Sequence, residues 1–190
     1  MPEGALALEM GVVYKAGIMK FLICALLLAL GLQAQAQLSP TSTAGLKGKF
    51  FVSVDDSADI LINGASFHHA GLNESESPEM ELKAGDRIVV KLKNTLGKGR
   101  FMLLFMSSDR KQMVNFTTRS FKILSDPEMK DFTPADFAGF RKQAKDVTGD
   151  FGKPYMLPFK SSSKWVWGDV NVCSIGCLMT QDMFKANPRP

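Results

Sequence analysis

Short apolar segments with a period of two, separated by turn residues, constrain the fold of this chain more than any other feature. Residues 49–54 are rich in aromatic and β-branched side chains and are followed by the polar turn 55–57. Residues 58–62 alternate again and end at Asn63-Gly64, a pair typical of two-residue hairpin turns. This arrangement predicts two short strands, each followed by a turn.

The pattern continues through the middle of the chain. Two further strands are predicted at residues 80–82 and 87–93, on either side of a turn at 83–86. Residues 100–106 are apolar throughout, which is typical of a strand buried on both faces. A late strand is predicted at 164–167. Six or more short strands separated by regularly spaced turns predict an all-β fold, an antiparallel two-sheet sandwich.

One short helix is predicted over residues 134–145. Thr133 is a good N-cap, Pro134 occupies the first helical position, and Asp136 lies near the positive end of the helix dipole. Phe132 and Phe137 have the spacing of a hydrophobic staple across the first turn.

The N-terminal region indicates export. Lys20 precedes an apolar run over 21–32, which is too short to span a membrane, and Ala34-x-Ala36 then forms a small-residue cleavage pattern. We expect cleavage after Ala36, so that Gln37 begins a secreted, extracellular protein with no membrane span. The pattern leaves open whether synthesis starts at Met1 or Met19.

The domain organisation follows from this prediction. Residues 1–36 comprise an upstream extension and a cleaved signal peptide, residues 37–47 form a flexible lead-in, and residues 48–190 form a single β-sandwich domain. A membrane anchor at the N-terminus is the alternative to a cleaved signal.

Export also suggests covalent modifications. Removal of Cys24 with the signal peptide leaves Cys173 and Cys177, and an oxidising compartment favours a disulfide between them across the intervening residues 174–176. Asn73 and Asn115 begin two sequons for N-glycosylation.

Charge limits the classes of partner. The chain has a net charge of +4, from 23 basic and 19 acidic residues, with no long basic block. A clustered basic face is the usual mark of nucleic-acid binding, so we expect no nucleic-acid partner.

Several segments resemble galactose-binding-like domains, which are extracellular jelly-roll β-sandwiches. Residues 54–64 (VDDSADILING) are similar to a hairpin of these domains, residues 82–94 to the strand that follows, and 150–154 and 164–168 to their closing elements. The resemblance covers about residues 48–169 and implies a jelly-roll sandwich that binds ligands at its loop ends. Phe121 replaces a tryptophan common in such domains, and the tail from Cys173 has no counterpart.

Four oxygen-bearing side chains form the first candidate ligand site: Asp55, Asp56, Asp59 and Asn63. Calcium prefers carboxylate and carbonyl oxygens on loops, so a structural calcium ion is one interpretation. Turn formation alone is the other, because Asp and Asn bond to their own backbone in turns. No other cofactor or metal is expected.

Trp165 and Trp167 are the second candidate. An exposed pair of rings would suit stacking against a sugar, whereas core packing is the alternative. His68 and His69 are adjacent in a predicted extended segment and point to opposite faces, so they are poorly placed to hold one metal ion.

No catalytic motif is recognisable, which favours a protein that is not an enzyme. The sequence therefore leaves two hypotheses open. The first is a carbohydrate-binding or glycan-binding module; the second is a structural component of an extracellular matrix, such as a mineralised or cuticular one, whose partner would be a matrix polymer.

Overall fold

The β-structure begins at Leu46, so the last two residues of the predicted lead-in, 46 and 47, belong to the first strand. A computed structural model describes residues 45–151, 163–185 and 187–188, all within the compact unit Thr43–Pro190. The predicted cleavage site at Ala36 and Gln37, the two candidate start sites, and the lead-in up to residue 44 lie outside the described residues.

Thirteen strands are described, and they form two antiparallel sheets. The strands are β1 (Leu46–Val54), β2 (Ser57–Ile62), β3 (Ala65–Ala70), β4 (Asn73–Glu76), β5 (Met80–Leu82), β6 (Arg87–Lys93), β7 (Phe101–Ser107), β8 (Gln112–Asn115), β9 (Lys122–Ile123), β10 (Lys145–Asp146), β11 (Val166–Trp167), β12 (Val172–Leu178) and β13 (Asn187–Pro188). The helical elements are α1 (Pro134–Gly139), α2 (Thr148–Phe151) and a 3₁₀ turn (Gln181–Phe184).

The larger sheet has eight strands and the smaller sheet five. The larger sheet has the order β10-β11-β7-β1-β4, with β5 beside β1, β8 beside β7 and β13 beside β8. The smaller sheet has the order β3-β2-β6-β12-β9. This is the predicted all-β sandwich, and it is compatible with a jelly roll.

Side chains that point inward from the two sheets form the main core between them. Phe50, Val52 and Val54 of β1 point inward, as do Phe101, Leu103 and Phe105 of β7. Phe50 contacts the ring of Phe105 edge-on, with centroids 5.0 Å apart. From the smaller sheet come inward residues of β2, β6 and β12, including Ile60, Val90 and Ile175. Burial of these apolar faces is the main stabilising contribution.

A second apolar cluster lies on the outer face of the smaller sheet. Leu61, Val89 and Leu178 point away from the main core and are covered by side chains of residues 124–140, which we call the covering segment. Polar contacts hold this segment in place, among them a bidentate ion pair in which Arg87 Nε and Nη2 lie 2.7 and 2.9 Å from the two oxygens of Asp131. The part of the smaller sheet around these three residues is therefore buried on both faces.

The helix begins where the sequence predicts but is shorter. Thr133 and Asp136 form a reciprocal capping box, and the rings of Phe132 and Phe137 stack with centroids 5.2 Å apart. The prediction of helix over residues 140–145 is wrong, because this stretch is extended and pairs with neighbouring chain. The Ile123 amide donates to the Lys142 carbonyl at 2.8 Å, and Lys145 lies opposite Trp167.

Candidate functional site

The predicted cluster of oxygen ligands begins at the turn after β1. Asp56 has a positive φ of 63°, and its carboxylate accepts a hydrogen bond from the Thr95 amide. Hydrogen bonds from the Thr95 side chain and from its amide hold the pKa of Asp56 below its usual value. Asp55 lies 3.9 Å from Arg100 Nε. Both carboxylates are thus engaged in joining this turn to the loop between β6 and β7.

Asp59 and Asn63, the other two residues of the predicted cluster, lie on strand β2 and at its far end. Asp59 Oδ1 is 2.6 Å from His69 Nδ1 on the exposed face of the β2–β3 pair. Asn63 is at the far end of β2, roughly 20 Å from Asp56 along an extended strand, where its amide donates to Asp86 at 2.9 Å. The structure therefore does not bring these four residues together, since β2 separates the first two from Asn63. Within the described ranges, no group of three or more metal-ligating side chains converges.

Both tryptophans are core residues, which corrects their interpretation as a sugar platform. Trp165 is 0% exposed and Trp167 is 5% exposed. Trp167 packs in the main core, and its indole N–H donates to the Val170 carbonyl at 3.1 Å. A ring with no accessible face cannot stack against a sugar.

The predicted disulfide between Cys173 and Cys177 is also absent: both thiols are free and buried. The three residues between them form no turn, because the whole stretch from Cys173 to Cys177 belongs to strand β12. Four residues of extended chain span about 13 Å, whereas the Cα atoms of a disulfide are about 7 Å apart at most. Cys173 and Cys177 both pack in the main core.

Burial makes these thiols unreactive, and this can be measured. Desolvation raises the pKa of Cys173 to about 11 and raises that of Cys177 further. We expect neither thiol to react with iodoacetamide in the native protein at neutral pH, and both to react after denaturation without a reductant. A mass two hydrogens lower, with no alkylation in denaturant, would contradict the strand geometry.

The histidines point apart, as predicted. His68 lies opposite Ile60 and His69 opposite Asp59, so the two imidazoles occupy opposite faces of β3. His68 Nε2 is 2.9 Å from Ser75 Oγ across the edges of the two sheets, and burial lowers the pKa of His68. These contacts give both side chains structural roles.

The sequon asparagines both lie in strands. Asn73 begins β4, and Asn115 ends β8, where its side-chain oxygen is 3.3 Å from Ser163 Oγ. Glycosylation at either residue stays a prediction.

A short run of the sequence forms a cluster of positive charge on the surface of the fold. We define the basic edge as Arg141, Lys142 and Lys145, which lie along the extended stretch beside β9 and β11. The Lys142 and Lys145 side chains are 75% and 57% exposed. Arg141 is exposed and forms no ion pair with any other residue that the structure describes.

One carboxylate forms ion pairs with two of these cations. Asp169 Oδ2 is 3.1 Å from Lys142 Nζ, and Asp169 Oδ1 is 2.9 Å from Lys145 Nζ. Hydrogen bonds from Lys145 and Lys142 lower the pKa of Asp169, so this carboxylate stays ionised. Three cations against one anion leave the basic edge with a net positive charge.

An open groove adjoins the basic edge. Its volume is about 770 Å³, and Ile123, Leu124, Met129 and Phe140 supply apolar lining while Arg141 and Lys142 lie at its rim. The groove lining also contains Asp136, so the groove combines an apolar floor with two cations and one carboxylate.

Sequence reasoning missed this site because residues 140–145 were assigned to the helix. The signal was present as the short run Arg141-Lys142-Gln143-Ala144-Lys145. The run does not show that Asp169, 24 residues beyond Lys145, forms ion pairs with both lysines.

None of the helices in the described residues is long and apolar enough to cross a membrane. Comparison with known proteins found no matching protein family, no matching curated protein and no matching solved structure.

Proposed function

We propose that this chain is a secreted, non-enzymatic β-sandwich domain that binds an acidic glycan through the basic edge. The observation that carries the proposal is the sharing of Asp169 between Lys142 and Lys145, beside Arg141, which has no ion pair within the described part of the chain. A site that is exposed and positively charged attracts polyanions, and the attraction weakens as salt screens it.

The shape of the basic edge supports a linear ligand. Arg141 and Lys145 are the ends of an extended stretch of about 13 Å, so an extended chain carrying sulfate or carboxylate groups can meet all three cations. An arginine guanidinium at one end adds bidentate recognition of such groups. Neutral sugars, which are recognised by stacking on exposed rings, have no such platform at Trp165 or Trp167.

The galactose-binding-like assignment belongs to this proposal as well. The two-sheet antiparallel architecture and the hairpin at residues 54–64 are compatible with it. If it is correct, the ligand site lies at an edge of the sandwich and not at the Asp55–Asn63 hairpin.

The test is a glycan array containing sulfated, carboxylated and neutral glycans, probed with wild type and with R141Q/K142Q/K145Q. We expect wild type to bind the anionic glycans, and the triple variant to bind them at least about tenfold more weakly, which corresponds to about 1.4 kcal/mol. Loss of three charges at a screened surface is enough for such a change, and raised salt should weaken wild-type binding in the same way.

The matched control removes three charges elsewhere. Lys49, Arg110 and Lys111 lie on or near the β7–β8 hairpin, and K49Q/R110Q/K111Q gives the same change in net charge. This control should keep most of the affinity. Equal losses in both variants would indicate a general charge effect and would refute a site at the basic edge. An array without binding would instead favour the structural matrix protein.

A further inference from the structure

The groove beside the basic edge contains two polar groups with hydrogen-bonding capacity to spare. Ser125 is exposed in the groove lining, and its hydroxyl forms no hydrogen bond with any other residue that the structure describes. Asp136 accepts hydrogen bonds from the Thr133 amide and from the Thr133 hydroxyl, both at Oδ2 and both 2.8 Å long. Within the described part of the chain, Asp136 Oδ1 is therefore free to accept. The lining thus offers a ligand one hydroxyl donor and one carboxylate acceptor.

Much of the remaining lining is apolar. Ile123 ends β9, Leu124 follows it, and Met129 and Phe140 lie in and at the end of the covering segment. Leu124, Met129 and Phe140 all belong to the second apolar cluster, so the groove opens directly onto packed side chains. Burial of apolar surface is favourable, and an apolar part of a ligand that covers this floor contributes to binding.

Charge decides which part of an acidic ligand can enter the groove. Arg141 and Lys142 belong both to the basic edge and to the groove lining, so a glycan held at the basic edge lies next to the groove. Hydrogen bonds from the Thr133 amide and hydroxyl lower the pKa of Asp136, so its carboxylate stays ionised. An ionised carboxylate repels sulfate and carboxylate groups. The anionic groups of a ligand therefore stay at the cations, and the groove is left for a neutral group.

We propose that the groove receives the acetamido group of an N-acetylated sugar residue, so that the ligand of this site is an acidic glycan containing N-acetylhexosamine. This inference rests on the proposed function and names the substrate class of the same site. An acetamido group is neutral and combines one N–H donor, one carbonyl acceptor and one methyl group. The N–H matches Asp136 Oδ1, the carbonyl matches the Ser125 hydroxyl, and the methyl group matches the apolar floor.

Other neutral groups fit the lining less well. An alkyl chain would cover the apolar floor, but it would displace water from the Ser125 hydroxyl and the Asp136 carboxylate without replacing the lost hydrogen bonds. A sugar hydroxyl could bond to one of these polar groups, but it has no methyl group to place on the floor. The acetamido group satisfies both polar groups and the floor together.

Titration calorimetry of the full chain with two hexasaccharides of equal charge tests this inference. In one hexasaccharide glucuronic acid alternates with N-acetylglucosamine, and in the other it alternates with glucose. We expect wild type to bind the acetamido-bearing hexasaccharide about tenfold more tightly, because the added hydrogen bonds and the buried methyl groups contribute a factor of that order at an open groove.

Two variants in the groove should reduce this preference. Gly139 lies in the lining, and a Cβ there would meet no atom within 4 Å, so Gly139→Leu partly fills the groove without a clash. Ser125→Ala removes the hydroxyl donor. We expect the ratio of the two affinities to fall from about ten toward one in each variant. The matched controls are Gly149→Leu, also in open space in a short helix, and Ser66→Ala on β3, and both should keep the ratio of wild type.

The outcomes separate this inference from the proposed function. Equal affinity of wild type for the two hexasaccharides would overturn the acetamido site and leave acidic-glycan binding intact. A preference that Gly139→Leu and Ser125→Ala both retain would also overturn it, because the acetamido group would then bind elsewhere. Absence of binding to either hexasaccharide would refute the proposed function, and the acetamido site with it.

Discussion

Trp167→Ala is expected to destabilise the domain by about 3–5 kcal/mol, the usual cost of removing a large aromatic side chain from a core. The indole packs in the main core with 5% of its surface exposed. Its six-membered ring lies so close to Gly99 that a Cβ there would be 2.2 Å from it. Removal leaves a cavity bounded by strands that cannot collapse into it.

Urea denaturation followed by circular dichroism measures this loss. A domain of this kind has only about 5–15 kcal/mol of stability in total, so we expect a large fall in the urea midpoint or failure to accumulate as folded protein. Trp167→Phe keeps an aromatic ring, so its urea midpoint should fall less than that of Trp167→Ala. An unchanged midpoint for the alanine variant would contradict burial of the ring and restore Trp167 as a candidate for sugar stacking.

Gly48→Ala is expected to have the second largest effect. Gly48 lies in β1 opposite Ser107 of β7 and Met80 of β5. A Cβ at this position would be 2.0 Å from the Met106 carbonyl oxygen, and backbone atoms cannot move aside without breaking the β1–β7 pairing. Overpacking typically costs about 1–3 kcal/mol, and a contact with backbone belongs at the upper end of that range.

Gly71→Ala is the matched control, since a Cβ at Gly71 would have no neighbour within 4 Å. Thermal unfolding should show a clear decrease in Tm for Gly48→Ala and little change for Gly71→Ala. Equal Tm values for the two variants would show that β1 and β7 are not in the described register.

Local patterns were sufficient to predict the strands that form the centre of the fold. Residues 49–54, 58–62 and 87–93 alternate cleanly, and all became central strands of the two sheets. The Asn63-Gly64 turn has positive φ at both residues, 50° and 82°, as a primed hairpin turn requires. These features depend on neighbours in sequence, and so they can be read from sequence.

The errors arose where tertiary contacts override local preference. Residues 140–145 have helix-forming side chains, yet they pair with Ile123 and Trp167 and are extended. Cys173 and Cys177 looked like the ends of a small loop, but Gly176 lies in a strand because Leu124 and Phe132 pack directly against it. Both outcomes depend on partners more than 15 residues away, which no local pattern contains.

The candidate site shows the same limit. Asp55, Asp56, Asp59 and Asn63 are close in sequence but are separated by the length of β2. The three cations of the basic edge are close in sequence, but Asp169 reaches Lys142 and Lys145 from a different loop. The ion pairs and the surface around such a run become visible only when the loops have been placed in space.

The affinity of a sulfated oligosaccharide for D169N and for R141Q, measured by titration calorimetry against wild type, tests the central claim most directly. Replacement of the shared carboxylate releases both lysines, so we expect D169N to bind more tightly, by about 2- to 5-fold for one exposed charge. R141Q should bind more weakly by a similar factor. These opposite shifts are the result that acidic-glycan binding at the basic edge predicts, and equal affinities for all three proteins would contradict it.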